Sequence, residues 1–226
     1  MSGVRRPIES EVAIPAGTVR LEGSLSWPAG ANGIVLFAHG SGSSRHSPRN
    51  RYVAGVLQEG GFATLLFDLL TAAEDRDYAT RFDIPLLTSR LLAGTAWVDR
   101  QPTAAGLPLG YFGASTGAAA ALAAAAEAGS RVGAVVSRGG RPDLAGGAAL
   151  ARVTAPTLLI VGGEDTVVIG LNRDAFARLA CEKTLTIVPG ATHLFEEPGT
   201  LEQVATHASR WFGRWLRPQP DGGGAR

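Results

Sequence analysis

The chain has 226 residues, of which 45% are hydrophobic and 18% charged, so it can bury a full core and is not disordered by composition. Its net charge of +1 gives no reason to expect nucleic acid, an anionic membrane surface or a strongly charged partner. The single cysteine, Cys181, cannot form an internal disulfide, residues 1–17 lack the apolar core of a signal peptide, and no apolar run spans a bilayer. We therefore expect a cytoplasmic protein.

Eight apolar or β-branched runs predict strands. The first two, Val12–Ile14 and Val19–Trp27, alternate roughly and predict an edge hairpin joined at residues 16–17. The other six are continuous apolar runs, which are typical of strands buried on both faces: Gly33–Ala38, Phe62–Phe67, Leu107–Phe112, Val132–Val136, Thr157–Val161 and Thr184–Val188.

Helical segments separate the later strands. They are Tyr52–Glu59, Arg81–Val98, Thr116–Ala128, Leu171–Ala180 and Leu201–Leu216. This alternation predicts an α/β fold with a mostly parallel, eight-stranded sheet and helices on both faces. We expect one domain over residues 1–217 and a disordered Pro- and Gly-rich tail over residues 218–226.

The motif Gly113–Ala114–Ser115–Thr116–Gly117 follows a predicted buried strand and precedes an Ala-rich predicted helix. The pattern G-x-S-x-G alone is weak, but a strand–turn–helix context is what a nucleophile elbow requires. Its glycines allow the close approach of backbone segments that such a turn needs. The sequence therefore predicts Ser115 as a nucleophile, with an idle serine in a Gly-rich turn as the alternative.

A serine nucleophile needs a base and an orienting acid, which in this arrangement follow in the chain order Ser, Asp or Glu, His. Asp165 and His193 each come just after a predicted strand, as Ser115 does, and sites in α/β sheets lie at these strand ends. The sequence favours Asp165 as the acid over the neighbouring Glu164. His193 is the favoured base, since His39 and His46 precede the serine and His207 falls within the last predicted helix.

An oxyanion hole requires two backbone donors. The N–H of Thr116, directly after the nucleophile, is one candidate. The second is the Ser41 N–H in the glycine-containing segment after the third strand, where Gly40 would allow close approach to substrate. A phosphate-binding loop is the alternative for this segment, but it lacks the lysine of the P-loop pattern.

The segments GASTG, GGEDTVV, GATHLFEEPG and FAHGSGSS together resemble the dienelactone hydrolase-like branch of the α/β-hydrolases. The resemblance extends from about Val19 to Leu216. It implies Ser115, Asp165 and His193 as a catalytic triad and Ser41 and Thr116 as oxyanion donors. The dienelactone hydrolases that name the family use a cysteine nucleophile, so the serine here favours a carboxylesterase activity over dienelactone hydrolysis.

Segment 139–155 has room for one short helix and turns but not for a cap domain, so we expect an open site. The expected function is hydrolysis of a small carboxylic ester, lactone or thioester through an acyl-enzyme, without a cofactor or metal. A peptidase or acyltransferase on the same triad, or a catalytically silent binding domain, remains an alternative, since fold alone does not fix function. The sequence leaves the oligomeric state open.

Arg138 follows a predicted buried strand and should therefore lie at the same rim of the sheet as the catalytic candidates. A buried unpaired charge is costly, so the arginine needs a partner. One hypothesis pairs it with a carboxylate such as Asp143. The other makes Arg138, with Gly40, a substrate-binding residue that holds an anionic group.

Overall fold

The computed structural model describes residues 7–217, so residues 1–6 and the predicted disordered tail at 218–226 lie outside the described residues. Eight strands form one sheet in the order β1-β2-β4-β3-β5-β6-β7-β8. Their bounds are β1 Ile8–Ala16, β2 Val19–Trp27, β3 Ile34–Ala38, β4 Ala63–Phe67, β5 Leu109–Ala114, β6 Val132–Arg138, β7 Thr157–Gly162 and β8 Lys183–Val188. β2 pairs antiparallel with β1 and β4, and all pairs from β4 to β8 are parallel. The predicted sheet is therefore confirmed.

Helices cover both faces of the sheet. They are α1 Pro48–Glu59, α2 Ile84–Asp99, α3 Thr116–Ala128, α4 Gly147–Arg152, α5 Thr166–Arg178 and α6 Thr200–Trp215. Segment 139–155, between β6 and β7, holds a 3₁₀ turn and α4, so the prediction of one short helix and no cap domain is confirmed.

Two helices begin four or five residues earlier than the sequence pattern predicts. α1 begins at Pro48 rather than at Tyr52, because proline is compatible with a first helical turn and the Ser47 side chain accepts a hydrogen bond from the Asn50 N–H. α5 begins at Thr166, five residues before the predicted start. Gly170 in its second turn weakens the intrinsic helical signal there, and packing of the apolar face overrides it.

The two faces of the sheet have separate hydrophobic cores. α2, α3, α4 and α5 contribute to one core, in which the small side chains of Ala-rich α3 let that helix lie close against the central strands. α1 and α6 contribute to the other core, together with the opposite side chains of the strands. β5 and α3, which flank Ser115, are therefore held rigidly at the centre of the molecule. None of the helices within residues 7–217 combines the length and apolar character needed to cross a bilayer.

Arg45, between β3 and α1, connects this central region to the antiparallel edge hairpin. Its guanidinium, only 14% exposed, contacts Glu11 of β1 and Glu22 of β2, the latter at 2.7 Å, and also pairs with Asp68 after β4. The Arg45 backbone N–H donates to Asp68 Oδ1 at 2.7 Å. Burial lowers the pKa of Arg45, but hydrogen bonds and charge attraction from Asp68 and Glu22 outweigh it and hold that pKa above its ordinary value. One side chain thus joins two strands of the hairpin to the end of β4.

Replacing Arg45 by Met should destabilise the protein by about 1–3 kcal/mol, because Asp68 and Glu22 lose a charged hydrogen-bond donor and Asp68 is largely buried. The measurement is the free energy of unfolding in urea. Arg20→Met is the matched control, since Arg20 lies exposed on the same hairpin and forms no ion pair with a described residue. Equal stability of the two variants would contradict a structural role for the Arg45 cluster.

Candidate active site

Ser115 lies at the sharp turn between β5 and α3. Its backbone has φ 50° and ψ −123°, and only one other non-glycine residue in the described chain, Phe195, has a positive φ. Such a conformation costs about 1–3 kcal/mol and persists only where the surroundings impose it. The Ser115 N–H donates to the Arg138 carbonyl at 3.3 Å, and its own carbonyl accepts from the Arg141 and Ala118 N–H groups. Neighbouring segments therefore fix the serine where the predicted elbow placed it.

The two glycines of the G-x-S-x-G motif permit this turn. A Cβ on Gly113 would lie 2.5 Å from the Ala118 Cα. A Cβ on Gly117 would lie 2.1 Å from the Ala38 carbonyl oxygen and 2.5 Å from that of His39. These neighbours are backbone atoms, which cannot rotate away. The absence of side chains at both positions lets α3 begin directly against the ends of β3 and β5.

Gly117→Ala should destabilise the protein by about 3 kcal/mol and reduce activity, because the new methyl group must displace backbone. Gly170→Ala is the matched control: it is also a helical glycine, but nothing lies within 4 Å of its Cβ position, so stability should rise by about 0.5–1 kcal/mol. Urea denaturation of both variants tests this. A Gly117→Ala protein as stable as the wild type would contradict the close packing described here.

Asp165 and His193 are in direct contact. The Asp165 Oδ2 lies 2.6 Å from the His193 Nδ1, and the two side chains are 15% and 39% exposed. Glu164, the alternative acid, is exposed, and its backbone N–H bonds the Ala191 carbonyl. A carboxylate bound to Nδ1 leaves Nε2 of the imidazole available for a second partner. The arrangement suits an orienting acid and a base.

The His193 loop is held against the end of β7. A Cβ on Gly162 would lie 2.4 Å from the Ala191 carbonyl oxygen, so only glycine allows the loop to approach this closely. Thr192 donates its hydroxyl to Glu197 at 2.6 Å, and this hydrogen bond is the main cause that holds the pKa of Glu197 below its ordinary value. Phe195, with φ 56°, is buried below the loop. The sequence pattern assigned no role to Thr192, Phe195 or Glu197, although all three lie in the segment GATHLFEEPG.

His193 and Ser115 both contact the short turn after β6. A Cβ on Gly139 would lie 3.0 Å from the His193 carbonyl oxygen, and Ser115 bonds the carbonyl of the preceding Arg138. Among the described residues, the Ser115 hydroxyl has no hydrogen-bond partner. Catalytic contacts in unliganded enzymes are commonly long and tighten with substrate.

The segment after β3 packs directly against Ser115. A Cβ on Gly40 would lie 2.9 Å from the Ser115 Cβ and 3.7 Å from its Oγ. The Ser41 N–H, predicted as an oxyanion donor, donates to the Thr116 Oγ1 at 2.9 Å. The structure thus brings Gly40, Ser41 and Thr116 together beside Ser115. The predicted donor, the Ser41 N–H, is already hydrogen-bonded to the Thr116 hydroxyl.

His39 fixes the shape of this segment. Its Nε2 accepts from the Leu69 N–H at 3.0 Å, so the proton lies on Nδ1, which donates to the Gly40 carbonyl at 3.0 Å. Burial lowers the pKa of His39, which favours the neutral ring that this arrangement requires. His39 is therefore a positioning residue for Gly40 and, through it, for Ser41.

The expected pairing of Arg138 with Asp143 is wrong. Asp143 pairs with Arg141, at 2.8 and 2.9 Å, in a turn that packs against α3 and α5. The Arg138 side chain points to the opposite face of the sheet, where it donates to Asn50 Oδ1 of α1 at 3.3 Å and lies 5.9 Å from the Phe195 ring centroid.

Arg138 is 7% exposed and contacts no carboxylate among residues 7–217. Burial, and then repulsion from Arg49, lowers its pKa to about 10. The rim of the site therefore holds a buried positive charge whose hydrogen-bond partner is a neutral amide.

Within the same described residues, no group of three His, Cys, Asp or Glu side chains could hold a metal ion.

The fold defines the chain as an α/β-hydrolase. No protein-family model matches it. A dienelactone hydrolase from Anabaena variabilis ATCC 29413, known from its crystal structure, is 59% identical with a TM-score of 0.91, and the match covers 94% of this chain and 100% of that one. The chain therefore belongs to the dienelactone hydrolase family, which confirms the resemblance inferred from its motifs.

More distant solved structures share the fold. Est1E from Butyrivibrio proteoclasticus is 15% identical with a TM-score of 0.78, and the match covers 90% of this chain and 98% of that one. A dienelactone hydrolase-like promiscuous phosphotriesterase from metagenomic libraries is 19% identical with a TM-score of 0.76, covering 94% of this chain and 100% of that one. At these identities the similarity shows the fold alone.

A curated relative from Mycobacterium tuberculosis (strain ATCC 25618 / H37Rv) is named "Putative phosphoribosyl transferase". It is 63% identical over 204 residues, which are 90% of this chain and 46% of the relative. The chain thus spans about half the length of the curated relatives it matches.

Proposed function

We propose that the protein is a serine hydrolase that cleaves a small carboxylic ester, lactone or thioester. The observation that supports this most directly is the 2.6 Å contact between Asp165 and His193 beside the strained turn that carries Ser115. A nucleophile, a base and an orienting acid at neighbouring strand ends are the groups that acyl transfer needs.

In the proposed reaction, Ser115 Oγ attacks the carbonyl carbon and His193 Nε2 takes the serine proton. Asp165 stabilises the imidazolium that forms. The Thr116 N–H, at the first turn of α3, donates to the developing oxyanion, helped by the positive end of the helix dipole. His193 then protonates the leaving group, and water activated by the same histidine hydrolyses the acyl-enzyme.

The substrate class follows from the nucleophile and the surroundings of the site. Serine in place of the cysteine that the sequence resemblance implied favours an ordinary ester over a dienelactone. The short segment between β6 and β7 leaves the site without a cap domain, which favours small substrates. The names of the relatives differ: one is a dienelactone hydrolase and another a phosphoribosyl transferase.

No feature of the described residues favours phosphoribosyl transfer, and that name belongs to a protein of which this chain spans 46%. Peptidase and acyltransferase activities use the same groups, and pocket shape selects between them. The cytoplasmic location and the small-molecule ester or lactone partner stay predictions.

Ser115→Ala should reduce hydrolysis of p-nitrophenyl acetate by about three to six orders of magnitude, because it removes the nucleophile. Labelling by a fluorophosphonate should disappear with it. Ser89→Ala, an exposed serine on α2, is the control and should keep both properties. A wild-type protein that neither hydrolyses activated esters nor reacts with the probe would identify a silent binding domain instead.

We propose Arg138 as a residue that binds an anionic substrate group, since its charge has no carboxylate partner among the described residues. Arg138→Met should then lower kcat/KM about tenfold or more for a carboxylate-bearing ester and change little for a neutral ester of equal size. Arg152→Met, an exposed arginine on α4, is the control. Equal losses on both substrates, with a lower melting temperature, would assign Arg138 to holding Phe195 and the His193 loop instead.

A further inference from the structure

Thr116 has two hydrogen-bonding groups at the point where α3 begins, its backbone N–H and its side-chain hydroxyl. Its backbone N–H is in the first turn, where helical N–H groups have no intrahelical acceptor, and it bonds no other described residue. Its side chain is 2% exposed, and Oγ1 accepts the Ser41 N–H at 2.9 Å. That hydrogen bond uses one lone pair of the hydroxyl and leaves its proton free.

The hydroxyl of Thr88, buried in α2, has no hydrogen-bond partner among the described residues, whereas two other helical threonines donate theirs. Thr95 and Thr206 donate to the carbonyls four residues earlier, at 3.1 and 2.8 Å. Thr116 cannot do so, because Phe112, four residues earlier, lies in β5 rather than in a helix. No described residue accepts the Thr116 hydroxyl proton. The side chain therefore presents a buried, held donor without an acceptor.

This donor lies beside the nucleophile. Gly40, which contacts Ser115, lines a small cavity together with Ser41, Gly42 and Thr116. Ser115 itself does not line it, and the other lining residues are His39, Leu70, Asp75, Arg81 and Leu87. The cavity measures about 10 Å³, roughly the volume that one water-sized oxygen needs. Thr116 follows Ser115 directly in the chain, so both of its groups belong to the residue next to the one that would carry the tetrahedral adduct.

We propose that the Thr116 hydroxyl is a catalytic oxyanion donor, and that the Ser41 N–H holds it in place rather than binding the oxyanion directly. When Ser115 Oγ adds to the carbonyl carbon, the C=O electron pair moves to oxygen, and the Thr116 N–H and O–H both donate to the resulting anion. The inference rests on the proposed hydrolase function and changes one part of it: the second donor is a side chain, where the sequence predicted the Ser41 backbone.

The test compares Thr116→Val, which keeps the side-chain shape and removes the hydroxyl, with Thr116→Ser, which keeps the hydroxyl. With p-nitrophenyl acetate, Thr116→Val should lose about 10²-fold in kcat with little change in KM, because the interaction forms only in the transition state. Thr116→Ser should recover most of kcat. Phenylboronic acid, which forms a tetrahedral adduct with an active serine, should bind the Val variant more weakly by a similar factor.

Three results would overturn the inference. A higher kcat in Thr116→Val would mean that the hydroxyl occupies the Ser41 N–H and obstructs it. An unchanged kcat would mean that the Thr116 hydroxyl does not stabilise the oxyanion. Equal losses in the Val and Ser variants, with lower melting temperatures, would make Thr116 structural.

Thr116→Ala repeats the comparison with a smaller side chain if the Val variant does not fold. The proposed hydrolase function is tested by a different result. It would be contradicted only if the wild-type protein itself did not react with esters or with the fluorophosphonate.

Discussion

The first turn of α3 lies in van der Waals contact with the ends of two strands, and the rest of the site depends on that contact. It exists because Gly113 and Gly117 have no side chains where backbone atoms of Ala38 and Ala118 approach within about 2–3 Å of the missing Cβ positions. Ser115, between these glycines, has a positive φ, and the Thr116 N–H at the start of the helix has no acceptor among the described residues. One piece of packing thus places both the proposed nucleophile and the proposed N–H donor.

The sequence predicted the sheet correctly, because its strands follow from local rules, and the same rules generated the hypothesis for the site. Buried parallel strands are continuous apolar runs, and polar residues just after such runs meet at one edge of the sheet. Ser115, Asp165 and His193 each follow a strand in this way, and the chain order of the three side chains distinguished His193 from the other histidines. The contact between Asp165 and His193 agrees with this reasoning.

What the sequence missed depends on which face of the sheet a side chain occupies and on how loops pack. Arg138 shares the face of Ala134 and Val136, so it meets α1, whereas Asp143 lies in a turn on the opposite face. Counting the alternation along β6 would have separated them. The hydrogen bond from Ser41 to Thr116 joins residues 75 positions apart, and no pattern in either segment predicts it.

The cluster around Arg45 has a consequence for how the molecule opens. The β1–β2 hairpin meets the rest of the sheet through only four residue pairs between β2 and β4, so it is a natural unit of local unfolding. Arg45, which pairs with Glu11 and Glu22 of the hairpin, directly follows the segment that bears Gly40 and Ser41. Transient detachment of this edge would therefore release the start of α1 and the adjacent loop together, and amide exchange in the hairpin and in that loop would share one opening rate.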